Sequence, residues 1–160
     1  MASFVDSSPA TGAPGEVHDT QKNDLGAIRK HSDGNSYIYL KGVTSCVDGS
    51  TVVFQPGVWT AILAATGVKG SVAIATAAVD AATEYGWFTY IGQDVGISRS
   101  AVTSNTALFA GGVSGALSST AVKGDQIMNA YARNAGAADG GSVIVQLDRA
   151  FIGHSNESTG

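Results

Sequence analysis

Gly26-Ala27-Ile28-Arg29-Lys30-His31 and Ser36-Tyr37-Ile38-Tyr39-Leu40-Lys41-Gly42 stand on either side of Ser32-Asp33-Gly34-Asn35. Asp-Gly between two such runs is a strong hairpin signal, because the turn needs positive φ and glycine supplies it without a Cβ clash. In the second run Ile38 and Leu40 point to one side while Tyr37 and Tyr39 point to the other, the period-two pattern of a strand. This stretch sets a β reading.

The same punctuation recurs outward from it. Asp48-Gly49 opens a run from Thr51 to Gln55, and Pro56-Gly57 closes it. Near the C-terminus Val143, Val145 and Leu147 alternate with Ile144, Gln146 and Asp148. Tyr85-Gly86-Trp87-Phe88-Thr89-Tyr90-Ile91 is the most aromatic stretch, rich in residues that suit a pleated, half-buried surface. Trp59 to Ala65 and Ser71 to Glu84 are rich in alanine, which favours helix by propensity. Their flanking glycines and the Val72/Ile74 alternation favour strands, with a helical turn allowed near Val79 to Thr83. The predicted fold is all-β (mainly), a small antiparallel β-barrel or β-sandwich. Its core should include Ile38, Leu40, Val52, Phe54, Trp87, Val143, Val145 and Leu147.

Residues 1–22 hold Pro9 and Pro14 among Ser, Thr, Gly and alternating charges, with only Phe4 and Val5 as neighbouring large apolar groups. So little apolar surface does not offset the entropy of ordering the chain. The segment is expected to be a flexible N-terminal arm, dispensable for folding, before a β-rich domain over 23–153. Residues 154–160 are expected to form a flexible C-terminal tail.

Only 14% of the 160 residues are charged, against roughly 25% in an ordinary soluble domain. The surface must therefore be built from Ser, Thr, Asn, Gly and Ala, which are easily desolvated in broad protein contacts. The net charge is −4, and the nine Lys and Arg residues are scattered, Arg29-Lys30 being the only adjacent pair. Nucleic-acid backbones demand clustered cations, so no nucleic-acid partner is expected. No run of 18 apolar residues exists and MASFVDSSPATGAPGE lacks a signal-peptide pattern, so no membrane partner is expected either. Cys46 is the only cysteine, which excludes an intrachain disulfide and fits a reducing compartment. Asn156-Glu157-Ser158 matches a glycosylation triplet, but nothing else points to secretion.

No catalytic, cofactor-binding or metal-binding residues are assigned, and no enzyme activity is expected. His18, His31 and His154 are isolated, and one Cys with three distant His does not make a zinc site. Gly111-Gly112-Val113-Ser114-Gly115 has no basic residue after it and reads as a small-residue turn. Cys46 lacks a neighbouring His and reads as a buried thiol. In the aromatic stretch, alternation places Trp87, Thr89 and Ile91 on one face and Phe88 and Tyr90 on the other. One face is expected in the core, and the other at a subunit interface or, less favoured, a sugar-stacking platform beside Gln93 and Asp94.

The order SDGNSYIYLKGV (32–43), VDGSTVVF (47–54), EYGWFTYIG (84–92), GDQIMNAYARNAG (124–136) and SVIVQLDRAFI (142–152) resembles that of capsid decoration (cement) proteins of tailed bacteriophages. The YGW strand and the late strand with Asp-Arg carry most of the likeness, which spans roughly residues 24–153. The resemblance implies a virion protein on the outer capsid surface, made and assembled in the bacterial host cytoplasm. It would bind the major capsid protein and stabilise contacts between its subunits. The family brings no cofactor and no catalytic residue. A symmetric site on a shell invites a symmetric ligand, so a homotrimer is expected, with a dimer as alternative. A head-fibre or tail-associated receptor- or carbohydrate-binding module is the alternative function.

Overall fold

A computed structural model describes residues 12–110, 114–137 and 140–153. All its regular structure is β. The eleven strands are β1 (Val17–His18), β2 (Ile28–Lys30), β3 (Ser36–Lys41), β4 (Thr51–Phe54), β5 (Ile62–Leu63) and β6 (Gly70–Ala75). They continue with β7 (Tyr85–Ser98), β8 (Ala107–Ala110), β9 (Leu117–Ser118), β10 (Gln126–Ala132) and β11 (Gly141–Ile152).

The hairpin forms where the Asp-Gly signal places it. β2 and β3 pair with Lys30 opposite Ser36 and Ile28 opposite Ile38. Gly34 has φ 89°, and Asp33 Oδ1 accepts the Asn35 N–H at 2.8 Å, a local bond that stabilises the turn.

β7 organises the rest. Its first half pairs with β3, from Lys41↔Tyr85 to Ser36↔Ile91. Its second half pairs with β11, from Asp148↔Ile91 to Gly141↔Ser98. The change of partner falls at Gly92, with φ 114°, where a Cβ would overlap the Asn35 side chain. The Asn35 amide caps this bend by donating to the Gln93 carbonyl and accepting the Gln93 N–H, both at 3.0 Å.

The neighbour order β7-β9-β8-β10-β11-β6 closes into a ring of six strands, because β6 also pairs with β7. Closure removes the unpaired edges that an open sheet would present. Pairing is antiparallel except at Ser98↔Leu117 and the isolated Lys41↔Thr60 bridge.

β4 and β6 form a wall between two cores. Val53, Val72 and Ile74 face the ring interior, with Leu108, Leu117, Ile127, Val143, Val145 and Leu147. Val52, Phe54, Ala73 and Ala75 face the other way, against Ile38, Leu40 and Phe88. A strand buried on both faces reads as a continuous apolar run instead of an alternation. All eight residues expected in the core are no more than 2% exposed.

The alanine-rich segments are mostly loop. Trp59 to Ala65 yields only the two-residue β5, and the second segment is strand through Ala75. Beyond it, Val79 to Thr83 forms turns and no helix. Glu84 N–H bonds Ala81 O at 3.0 Å, and the Val79 and Glu84 carbonyls are taken by Val43 and Gly42 N–H. Tertiary pairing overrides alanine's weak helix propensity.

The segment drawn as an arm over residues 1–22 makes contacts with the β domain in its described part. Residues 1–11 and 154–160 lie outside the described residues, but Val17 and His18 pair with Gly86 and Tyr85. His18 Nδ1 sits 2.8 Å from the Tyr39 hydroxyl, Lys22 N–H donates to that hydroxyl at 3.2 Å, and Gly15 N–H donates to Thr76 Oγ1 at 3.0 Å. Polar anchors do here what few apolar groups alone would not.

Candidate functional site

The aromatic stretch is not a surface platform. Phe88 is fully buried against Ile38 and Phe54. Trp87 is only 2% exposed, as expected of a core residue, so it is Phe88, on the face left for an interface, whose burial departs from the expectation. The Trp87 ring lies 5.0 Å from that of Tyr39, which stacks at 6.3 Å on Tyr85. Leu25 and Ala27 close over this cluster. The expected division into a core face and an interface or sugar-stacking face fails, because residues 12–27 of the same chain supply the cover.

The other singled-out residues are structural. Cys46 is buried, and burial pushes its thiol up to about 11, opposite to what a thiolate nucleophile needs. His18 is inside, between Tyr39 and Glu16 Oε2 at 3.6 Å, while His31 remains on the surface 3.5 Å from Asp33 Oδ2. His154 and Gly111 to Val113 lie outside the described residues.

Asp94 accepts a hydrogen bond from Thr89 Oγ1, and burial raises its carboxyl above the usual range. Asp33 is lowered by the Tyr37 hydroxyl, which donates to it at 2.5 Å, and Tyr37 itself is pushed up to about 12, chiefly by burial. For Asp125, burial acts to raise the pKa, but Lys69 Nζ at 2.8 Å and Gly67 N–H at 2.9 Å outweigh it and hold the carboxylate ionised. That pair ties the 66–69 turn to the 122–125 turn. Among the described residues no group of three or more His, Cys, Asp or Glu side chains is arranged to hold a metal ion.

A continuous open surface lies instead on the outer side of β7, β11 and β10. Val95 is opposite Ile144, Tyr131 opposite Gln146, and Met128 opposite Phe151. The five apolar members, Val95, Met128, Tyr131, Ile144 and Phe151, are each 37–47% exposed.

They share a side because two bulges correct the period. Between Met128↔Phe151 and Ala130↔Leu147 the register shifts, with Asn129 and Arg149 in the left-handed region at φ 58° and 50°. The extra residues keep Ile127, Ala130, Ala150 and Ile152 buried on the ring side. Bulges of this kind re-aim side chains. A left-handed backbone is unusual for Arg, which marks position 149 as strained.

Sequence reading placed Ile144 outward but missed Met128, Tyr131, Val95 and Phe151 as a set. Only the partner strand and the bulges unite them. Arg133 completes the surface, its guanidinium 6.0 Å above the Tyr131 ring and its Nη1 donating to the Tyr131 hydroxyl at 3.3 Å.

Comparison with known proteins returns no match: no family model, no curated protein and no solved structure.

Proposed function

We propose that this protein is a structural component of a tailed-phage virion, bound to the outer capsid surface and stabilising contacts between major capsid protein subunits. The observation that carries the reading is the open apolar face on β7, β11 and β10, on the outer side of a closed ring of strands. A pre-formed face of Val, Met, Tyr, Ile and Phe is suited to lasting protein contacts, because apolar and aromatic groups contribute most at interface centres. The low charge content supports the same reading, since few ions must be desolvated when such a surface is covered.

In this reading the protein has no catalytic task, is a closed cyclic oligomer, trimer or dimer, and is assembled with the shell in the bacterial host cytoplasm. The alternative as a glycan-binding head-fibre or tail module loses the motif that suggested it, because Trp87 and Phe88 are both buried.

The test is binding to purified tailed-phage capsids that lack the protein, followed by cryo-electron microscopy. Saturable outer-surface density at repeated sites between capsid subunits is expected. Absence of binding, or density confined to the tail, contradicts the proposal.

A further inference from the structure

We infer that the outer face of β7, β11 and β10 packs against the same face of a second copy of this chain about a two-fold axis. This goes beyond the capsid reading and does not require it: it assigns the open face to self-association, so that on a shell the dimer would be the bound unit, and of the two oligomers considered there it selects the dimer.

The face is one of apolar character with few charges, and two of them, Arg133 and Asp148, have a self-complementary placement, Arg149 standing beside Asp148. Tyr131 and Gln146 are directly opposite each other across β10 and β11. Arg133, whose N–H bonds the Ile144 carbonyl, stands two residues to one side of that level. Asp148, opposite Ile91, stands two residues to the other side. At about 3.3 Å per residue, the backbone positions of Arg133 and Asp148 lie at equal distances from the Tyr131–Gln146 level.

A two-fold axis parallel to the sheet and just outside this face, crossing the strands at that level, exchanges the two ends. Each Arg133 then meets the partner's Asp148, twice per dimer, and Tyr131 lies near the axis. An isologous interface requires this reciprocity: residue i meets j wherever j meets i. Arg133 is already directed along this face by its contact with Tyr131, and Asp148 is 73% exposed with only Arg149 at 4.0 Å beside it.

The extent is adequate for the centre of a contact. From Ile144 to Phe151 the face runs roughly 20 Å along the strands and about 15 Å across them. An exposed apolar patch on the order of 300 Å² is commonly functional, and a polar rim would extend it toward a stable interface.

The test is sedimentation equilibrium of the full chain, free of capsid, over a wide concentration range. The unaltered protein is expected to be a dimer. Arg133→Asp and Asp148→Arg should each weaken dimerisation by roughly tenfold or more, because each places two like-charged pairs in register. The double variant carrying both changes should recover most of the lost affinity, which a folding defect would not do. Tyr131→Ala should weaken association by roughly tenfold. Thermal melting of the same variants verifies that each is folded.

A monomer at all concentrations overturns the inference, as does a trimer indifferent to these substitutions or a double variant no better than the singles. If the free protein is monomeric but Tyr131→Ala lowers capsid occupancy, the face belongs to the shell: the dimer is refuted and the capsid reading stands. If it is dimeric but does not bind capsids, the reverse holds.

Discussion

Two regions rich in large apolar side chains have opposite fates in this molecule. The Tyr37–Tyr39–Trp87 cluster on β3 and β7 is closed over by residues 12–27 of its own chain. The Val95–Ile144–Tyr131 face on β7, β11 and β10 is open. Both lie along β7, so strand pairing does not distinguish them. The distinction lies in what crosses them. A strap with hydrogen-bond anchors at Gly15, His18 and Lys22 reaches the first, and no described segment reaches the second. An apolar face covered in cis is core, whereas one left uncovered on a rigid scaffold is available in trans.

The largest expected effect lies at the covered cluster. Trp87→Ala should destabilise the free protein by about 3–5 kcal/mol, the usual cost of deleting a buried aromatic group. Denaturant unfolding measures it. A loss below about 1 kcal/mol would mean that the cover is loose and the cluster half-solvated.

The next effect is pH-dependent. Burial raises Tyr37 from 10.0 to about 12, so the folded protein keeps its phenolic proton where the unfolded chain releases it. The corresponding stability is fully present below the ordinary value and is lost as pH rises toward the folded one. Melting at pH 9 to 12 should reveal a decline on the order of 1–2 kcal/mol from this group. Tyr37→Phe should flatten that limb. An unchanged slope would place its origin elsewhere.

His18→Ala removes one of the partners of the Tyr39 hydroxyl, leaving Lys22 N–H, and should cost about 1 kcal/mol. Amide exchange should quicken over residues 12–22 more than in β10 and β11. Uniform quickening would mean that the strap is part of the global folding unit. The smallest effect belongs to the open face: Ile144→Ala and Val95→Ala should change the stability of the isolated chain by no more than about 0.5 kcal/mol.

The hairpin and the alternating core of β11 were legible in the sequence because the information is local. Asp33-Gly34 fixes its own turn, and Val143, Val145 and Leu147 alternate within one strand. The cover over Trp87 was not legible. Residues 12–22 look too polar to fold, and their anchoring depends on Tyr39 and Thr76, distant in sequence. Nor was the open face, since Val95 and Ile144 meet only through β7–β11 pairing and the Asn129 and Arg149 bulges conceal the period on β10 and β11. Ala73 and Ala75 favour helix by propensity but lie in the strand that the Val72/Ile74 alternation favours, where their small size suits a wall packed on both sides.

Hydroxyl-radical footprinting of the full chain, at concentrations below and above self-association, tests the difference between the covered and open faces most directly. Tyr39 and Trp87 should remain unlabelled at both concentrations. Tyr131, Met128 and Phe151 should be labelled in dilute solution and protected together when concentrated. Labelling of Trp87 in the folded protein, or equal labelling of Tyr131, Met128 and Phe151 at both concentrations, would contradict the account.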